Sequence, residues 1–300
     1  MSRSYVHVQF GMTARFMPGG WHGAGTEWSA ELVRGFFTAG DRPATLSPGV
    51  AAVLILLARP VLRLHLALYK LDVRRAQFPV DNPERVIPGP DPVRLMFIGD
   101  VTVSGYGVLH QGMTTVAKTA RFVAETCGRG CSWTTISAND LTAARVAKMS
   151  TLDATPVDVV LVMLGVPDVL LATSTNAWKS NLETILEQLR NHTEPNRRVV
   201  FAGIPPMVDF RPVPPLGRKM LRLQIDRLNS VTHELASRAP DVSFVPFPDW
   251  RVGDMYVQDA FSWKSLHEMW ARVLAATTLQ ALTDTNSDRR ESGSENLGAS

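Results

Sequence analysis

From Val93 onward, short apolar runs alternate with longer stretches whose apolar residues recur at helical spacing. Arg94–Ile98, Trp133–Ser137, Val157–Leu164, Val199–Ile204 and Val242–Phe247 read as strands. The third is almost continuously apolar, the pattern of a strand covered on both faces. Between them, Leu182, Ile185, Leu186 and Leu189 mark one helix face, and Leu221, Ile225, Leu228 and Leu235 mark another. Five strands separated by helices predict a parallel, doubly wound sheet in an α/β domain.

The flanking segments follow other patterns. Residues 1–49 are rich in Gly and aromatic residues without a period, and read as an irregular leader. Residues 50–76 read as a helix. Val50 to Ala58 is wholly apolar until Arg59 and Pro60 interrupt it, which leaves fewer than the roughly 20 apolar residues a spanning helix requires. Arg59, Arg63, Lys70 and Arg74 follow at spacings of four, seven and four, which places them in one narrow helical stripe. Such a helix either packs on its own domain with the stripe in water or lies on a membrane surface with the stripe toward phosphates; the first is the simpler expectation. Residues 77–92 contain Pro79, Pro83, Pro88 and Pro90 and read as a linker without regular structure. The domain then runs over 93–283, and 284–300, poor in apolar residues, reads as a disordered tail.

Composition narrows the chemistry. A formal net charge of +3 over 300 residues provides no broad basic surface, which argues against nucleic acid as a partner. The two cysteines, Cys127 and Cys131, have no second pair or neighbouring His to complete a zinc site, so they read as free thiols around a Gly-containing turn. No metal and no cofactor is expected. The first residues lack the basic region, apolar stretch and cleavage site of a secretory signal, so a cytoplasmic chain, peripheral to a membrane if the 50–75 helix binds one, is the expectation.

In an open α/β sheet the working site lies at the carboxyl ends of the strands. Gly99-Asp100-Val101-Thr102-Val103-Ser104-Gly105 follows the first strand, and Gly165-Val166-Pro167-Asp168 follows the third. Ile204-Pro205-Pro206-Met207 follows the fourth, while Asp259-Ala260-Phe261-Ser262 precedes a last helix bearing Trp270-Ala271. Trp178 opens the helix after Asp168. In this order the series resembles the blocks of the SGNH (GDSL-like) hydrolases, actinobacterial-type members in particular: Gly-Asp-Ser, Gly-x-Asn-Asp, a Pro-Pro-Met turn and Asp-x-x-His. The resemblance covers about 93 to 282 and implies a flavodoxin-like three-layer α/β/α sandwich with a five-stranded parallel sheet, plus the N-terminal helical extension.

The resemblance also implies which residues should react, and most are replaced. The nucleophile position is Val101, which has no lone pair to attack with. The base position is Ser262, a hydroxyl that takes up no proton near neutral pH. The oxyanion position of the third block is Pro167, with neither an amide side chain nor an N–H. The second block, usually a Gly, aligns with Asp140, whose carboxylate would oppose the charge that block stabilises. Asp100, Gly165 and Asp168 remain as pocket residues, and Asp259 matches the carboxylate that would orient the missing His. Ser104 and His267 are the candidates for a relocated nucleophile and base, but a turn residue and a helical core residue explain them as well. Asp100 and Asp168 can likewise hold strand-end loops by accepting backbone N–H bonds rather than binding a cation. The sequence therefore points to a non-catalytic binding or regulatory module for a protein partner or an acyl or glycan ligand. The alternative is an active esterase or acyltransferase using Ser104 and His267, stationed at a membrane surface through Val50–Arg75.

Overall fold

The computed structural model describes residues 48–82, 84–149, 152, 156–191, 197–207, 215–249, 256–257 and 260–297. Most of the leader and Asp259 lie outside the described residues. The first element is helix α1, Pro48–Arg75. Alongside a separate antiparallel pair that joins Tyr256–Val257 to Ala260–Phe261, the main sheet has six strands: β1 Val86–Ile87, β2 Val93–Gly99, β3 Cys131–Ser137, β4 Val159–Met163, β5 Arg198–Ala202 and β6 Val242–Val245. Their order in the sheet is β1-β3-β2-β4-β5-β6. The last five named are mutually parallel where they pair, the doubly wound arrangement expected from the pattern.

β1 was not expected. It pairs antiparallel with β3 through Val86 and Ile87, inside the Pro-rich stretch read as a linker. Prolines cannot donate to a ladder, but a two-residue strand at the sheet edge needs few donors and fits between Pro83 and Pro88. The neighbouring part of that stretch also docks on the domain. Gln77 C=O accepts from Gly107 N–H at 2.9 Å, and the Asp81 carboxylate accepts from Gln111 N–H at 2.8 Å.

Alternation along the strands divides the core. Met96, Ile98, Val160, Val162, Val199 and Phe201 point to one face, and Leu95, Phe97, Val159, Leu161, Met163 and Val200 to the other. Helices α3 (Thr115–Cys127) and α8 (Trp263–Leu297) cover the second face with Val116, Ala120, Val123, Leu274 and Ala275. Helices α6 (Thr175–Asn191) and α7 (Pro215–Ser237) cover the first with the stripes Leu182/Ile185/Leu186/Leu189 and Leu221/Ile225/Leu228. Three short helices sit at strand ends: α2 Val101–Ser104, α4 Ala143–Val146 and α5 Val166–Leu170. Gly128 caps α3 in the left-handed conformation at φ 66°, so the Cys-Gly-Arg-Gly-Cys segment is the turn from helix to strand, with both thiols free.

Two boundaries move. α8 continues to Leu297, through residues read as a tail, because extending a formed helix adds one hydrogen bond per residue and needs no apolar face. α1 runs unbroken through Pro60, whose ring is exposed, and its segment Ala52–Arg75 is long and apolar enough to cross a membrane by length and composition alone. It does not stand away from the domain, however. Ile55, Ala58, Leu62 and Tyr69, at helical spacing, are buried in the core shared with α6 and α7, and Tyr69 Oη donates to Asn139 C=O at 2.5 Å.

Leu62 is 0% exposed and Leu64, two residues on, is 62% exposed. Leu62→Ala should cost about 2–5 kcal/mol of unfolding free energy in urea, and Leu64→Ala less than about 0.5 kcal/mol. Equal effects would mean that α1 is not seated as described.

Candidate functional site

Five elements meet at the carboxyl ends of β2 and β4, where the chain reverses its direction across the sheet. The Asp100 carboxylate lies at their centre with no solvent exposure. One oxygen accepts from Thr102 N–H at 3.1 Å, capping α2. The other accepts from Gly165 N–H at 3.0 Å and Val166 N–H at 2.8 Å, at the start of α5. One side chain thus joins the first motif to the third. Burial pushes its pKa up from 3.8 to about 7, against the pull of the Thr102 and Val166 hydrogen bonds, with the nearby Asp168 charge adding to the rise.

Asp168 joins the third motif to the second. Its carboxylate accepts from Ala143 N–H at 3.1 Å and from the Thr173 hydroxyl at 3.1 Å, and burial raises its pKa to about 6. Gly165 sits at φ 133°, where a Cβ would come 2.5 Å from the Ile204 side chain, so both backbone and space require glycine. The three motif turns are bound to one another through backbone donors and two buried carboxylates. Among the described residues, no group of three His, Cys, Asp or Glu side chains gathers to hold a metal.

The positions that the resemblance assigns to nucleophile, base and oxyanion donors fill local structural roles. Val101 opens α2 with its side chain buried, 7% exposed. Pro167 occupies the first turn of α5, where its missing N–H would have had no helical partner and its fixed φ suits the helix. Ser262 Oγ accepts from Ser265 N–H at 3.2 Å and lies 2.8 Å from Ser265 Oγ, capping α8. Asp140, aligned with the second block, has its side chain 61% exposed and paired with Arg145 at 2.7 Å. A charge so screened exerts little on a buried centre.

The candidates for relocation are both engaged. Ser104 Oγ donates back along α2 to Asp100 C=O at 3.3 Å. His267, on α8, is 5% exposed and uses both ring nitrogens. Nδ1 accepts from Thr115 N–H at 3.2 Å and from the Thr115 hydroxyl at 2.7 Å, while Nε2–H donates to Tyr106 C=O at 2.9 Å. Burial lowers its pKa to about 4, which keeps the ring neutral and consistent with one donor and one acceptor nitrogen. His267 thereby pins the start of α3 and the loop after α2 to the closing helix. The sequence pattern did not reveal the roles of Tyr106 and Thr115, or the edge-to-face cluster of Phe78, Tyr106 and Trp263, with centroids 5.9 and 4.8 Å apart. Gly107, at φ 81°, was the available signal: a Cβ there would lie 2.4 Å from the Trp263 ring.

This connectivity, three strand-end turns closed by a helix that follows the last block, agrees with a family model described as GDSL-like lipase/acylhydrolase, which matches residues 97–277. The chain belongs to that family. Comparison with curated proteins finds none that matches. Among solved structures, a lipase from a goat rumen metagenome aligns at 15% identity over 61% of this chain and 96% of its own, with a TM-score of 0.50. The psychrotrophic esterase EstA from Pseudoalteromonas sp. aligns at 15% identity over 66% of this chain and 98% of its own, with a TM-score of 0.40. The rumen lipase supports the SGNH fold; at that identity it carries nothing about activity.

The Asp100 pKa gives stability a pH signature. Between 3.8 and about 7 the folded chain keeps a proton that the unfolded chain has lost. Its contribution is therefore complete below the lower value and disappears as pH rises through the upper one. Asp100→Asn, which cannot titrate and keeps one acceptor oxygen for N–H donors on two sides, should be the less stable form at acid pH. It should then recover relative to the native chain between about pH 4 and 7, by on the order of 4 kcal/mol. Paired urea titrations across that range check this; a constant difference would mean that Asp100 is ionised throughout.

Proposed function

We propose that this member of the GDSL-like family is a non-catalytic scaffold that binds, rather than hydrolyses, an acyl or glycan ligand or a partner protein. The observation that carries the reading is the buried Val101 side chain at the nucleophile position, 7% exposed. Serine catalysis needs an exposed oxygen with a base beside it and donors for the charge that develops. Here Val101 supplies no oxygen, Ser262 supplies no base, and Pro167 supplies no donor.

The active-esterase reading would need Ser104 activated by His267. His267 would have to break its hydrogen bonds to Thr115 and Tyr106 to accept a proton elsewhere, leaving buried groups unpaired at a cost of about 1–3 kcal/mol each. Ser104 Oγ is occupied by the helix backbone. Nothing in the arrangement favours that pair. Membership of a lipase/acylhydrolase family supports an acyl group as the ligand, held beside the strand ends without turnover.

Restoring the missing groups tests this. Val101→Ser with Ser262→His should give slow hydrolysis of a p-nitrophenyl ester where the native chain gives none, and each single change should give none, since nucleophile and base act as a unit. Adding Pro167→Asn should raise turnover by about 10²-fold, and adding Asp140→Gly should change it little because that carboxylate is exposed and paired. Ser262→His also removes the α8 cap, at about 1 kcal/mol, so each variant's folding is checked by its melting temperature. Hydrolysis by the native chain that disappears in Ser104→Ala would overturn the reading.

A further inference from the structure

Helix α1 has two apolar faces, and among the described residues one of them is buried against the domain while the other is exposed. Ile55, Ala58, Leu62 and Tyr69 are buried against the domain. At 100° per residue, Val53, Leu57, Leu64, Leu68 and Leu71 lie roughly opposite them, with exposures of 56, 72, 62, 44 and 46%. Five large apolar side chains in a row over about five turns is far more than the scattered exposed leucines of an ordinary surface. Arg59, Arg63, Lys70 and Arg74, all exposed, run along one flank between the two faces.

We infer that this face docks on an anionic lipid bilayer, with α1 lying in the interface plane between the membrane and the domain. The charge pattern selects the occupant. With the leucines in the acyl region, the basic flank falls at the level of the phosphates, where long Arg and Lys side chains reach them. An antiparallel pairing of two copies through the same face would instead bring the two basic flanks together. A spanning orientation conflicts with the packing, because Ile55, Leu62 and Tyr69 are seated on the domain along the helix and would carry it into the bilayer. Tyr69, on the inner face, hydrogen-bonds to Asn139 in the loop of the second motif, so the docked helix is tied to the strand-end site. The inference does not depend on whether that site is catalytic.

Flotation of the full chain with vesicles of mixed phosphatidylcholine and phosphatidylglycerol, and with phosphatidylcholine alone, tests it. Binding to the mixed vesicles should be at least about ten-fold tighter, and Arg59→Gln, Arg63→Gln and Lys70→Gln together should remove that preference. Leu57→Glu with Leu64→Glu should weaken binding to the mixed vesicles by at least about ten-fold while leaving the melting temperature unchanged in the absence of lipid. Failure of the native chain to bind the mixed vesicles, or binding indifferent to these changes, overturns the inference. A drop in melting temperature of the glutamate pair would show that the chain itself covers the face. Conversion of a dimer to a monomer would show that a second copy does. Either result also overturns it.

Discussion

The site is organised by one carboxylate removed from water. Asp100, at the end of the central strand β2, accepts three backbone N–H groups, one from its own turn and two from the turn after β4. Those two strands flank the point where the sheet reverses its winding, a place where such sheets ordinarily leave a crevice. Peptide N–H groups at the start of α5 would otherwise point into that crevice without partners. Asp168 extends the arrangement to α4 through Ala143, and His267 extends it across the sheet's other covering layer through Thr115 and Tyr106. Breaking any one of these leaves a buried donor or acceptor unpaired, so the loops hold one another in place.

Such a framework separates what holds an SGNH-type site in shape from what makes it react. The groups that shape it, Asp100, Gly165 and Asp168, are present and fully engaged. The positions that would react have residues suited to their local backbone: an apolar side chain under the α2 turn, a proline in the first turn of α5, a serine capping α8. On the reading proposed above, such a site would hold an acyl or glycan ligand without turning it over.

The sheet and its covering helices were legible because their signals are periodic and strong. Val159–Met163 is apolar at every position, and Leu182, Ile185, Leu186 and Leu189 make an unambiguous stripe. The motif blocks were legible because they recur at strand ends in a fixed order. The edge strand β1 was hidden by its prolines, since two residues between prolines give no pattern to detect. The outer part of α8 was hidden because a polar helix extension and a polar tail share one composition. The surroundings of Asp140 were not legible: an alignment assigns a residue to a block, but the backbone decides what its side chain meets, here Arg145 and water. His267 carried no motif, and its role depends on Thr115 and Tyr106, which lie 152 and 161 residues away in the chain.

If no oxygen nucleophile stands ready in this site, a covalent probe will find none. The native full chain, incubated with an excess of a fluorophosphonate and weighed intact by mass spectrometry beside an active serine esterase, should keep its unmodified mass while the esterase is labelled. Stoichiometric addition of one phosphonyl group to the native chain, blocked by Ser104→Ala in a variant that still folds, would show an activated serine and contradict the account.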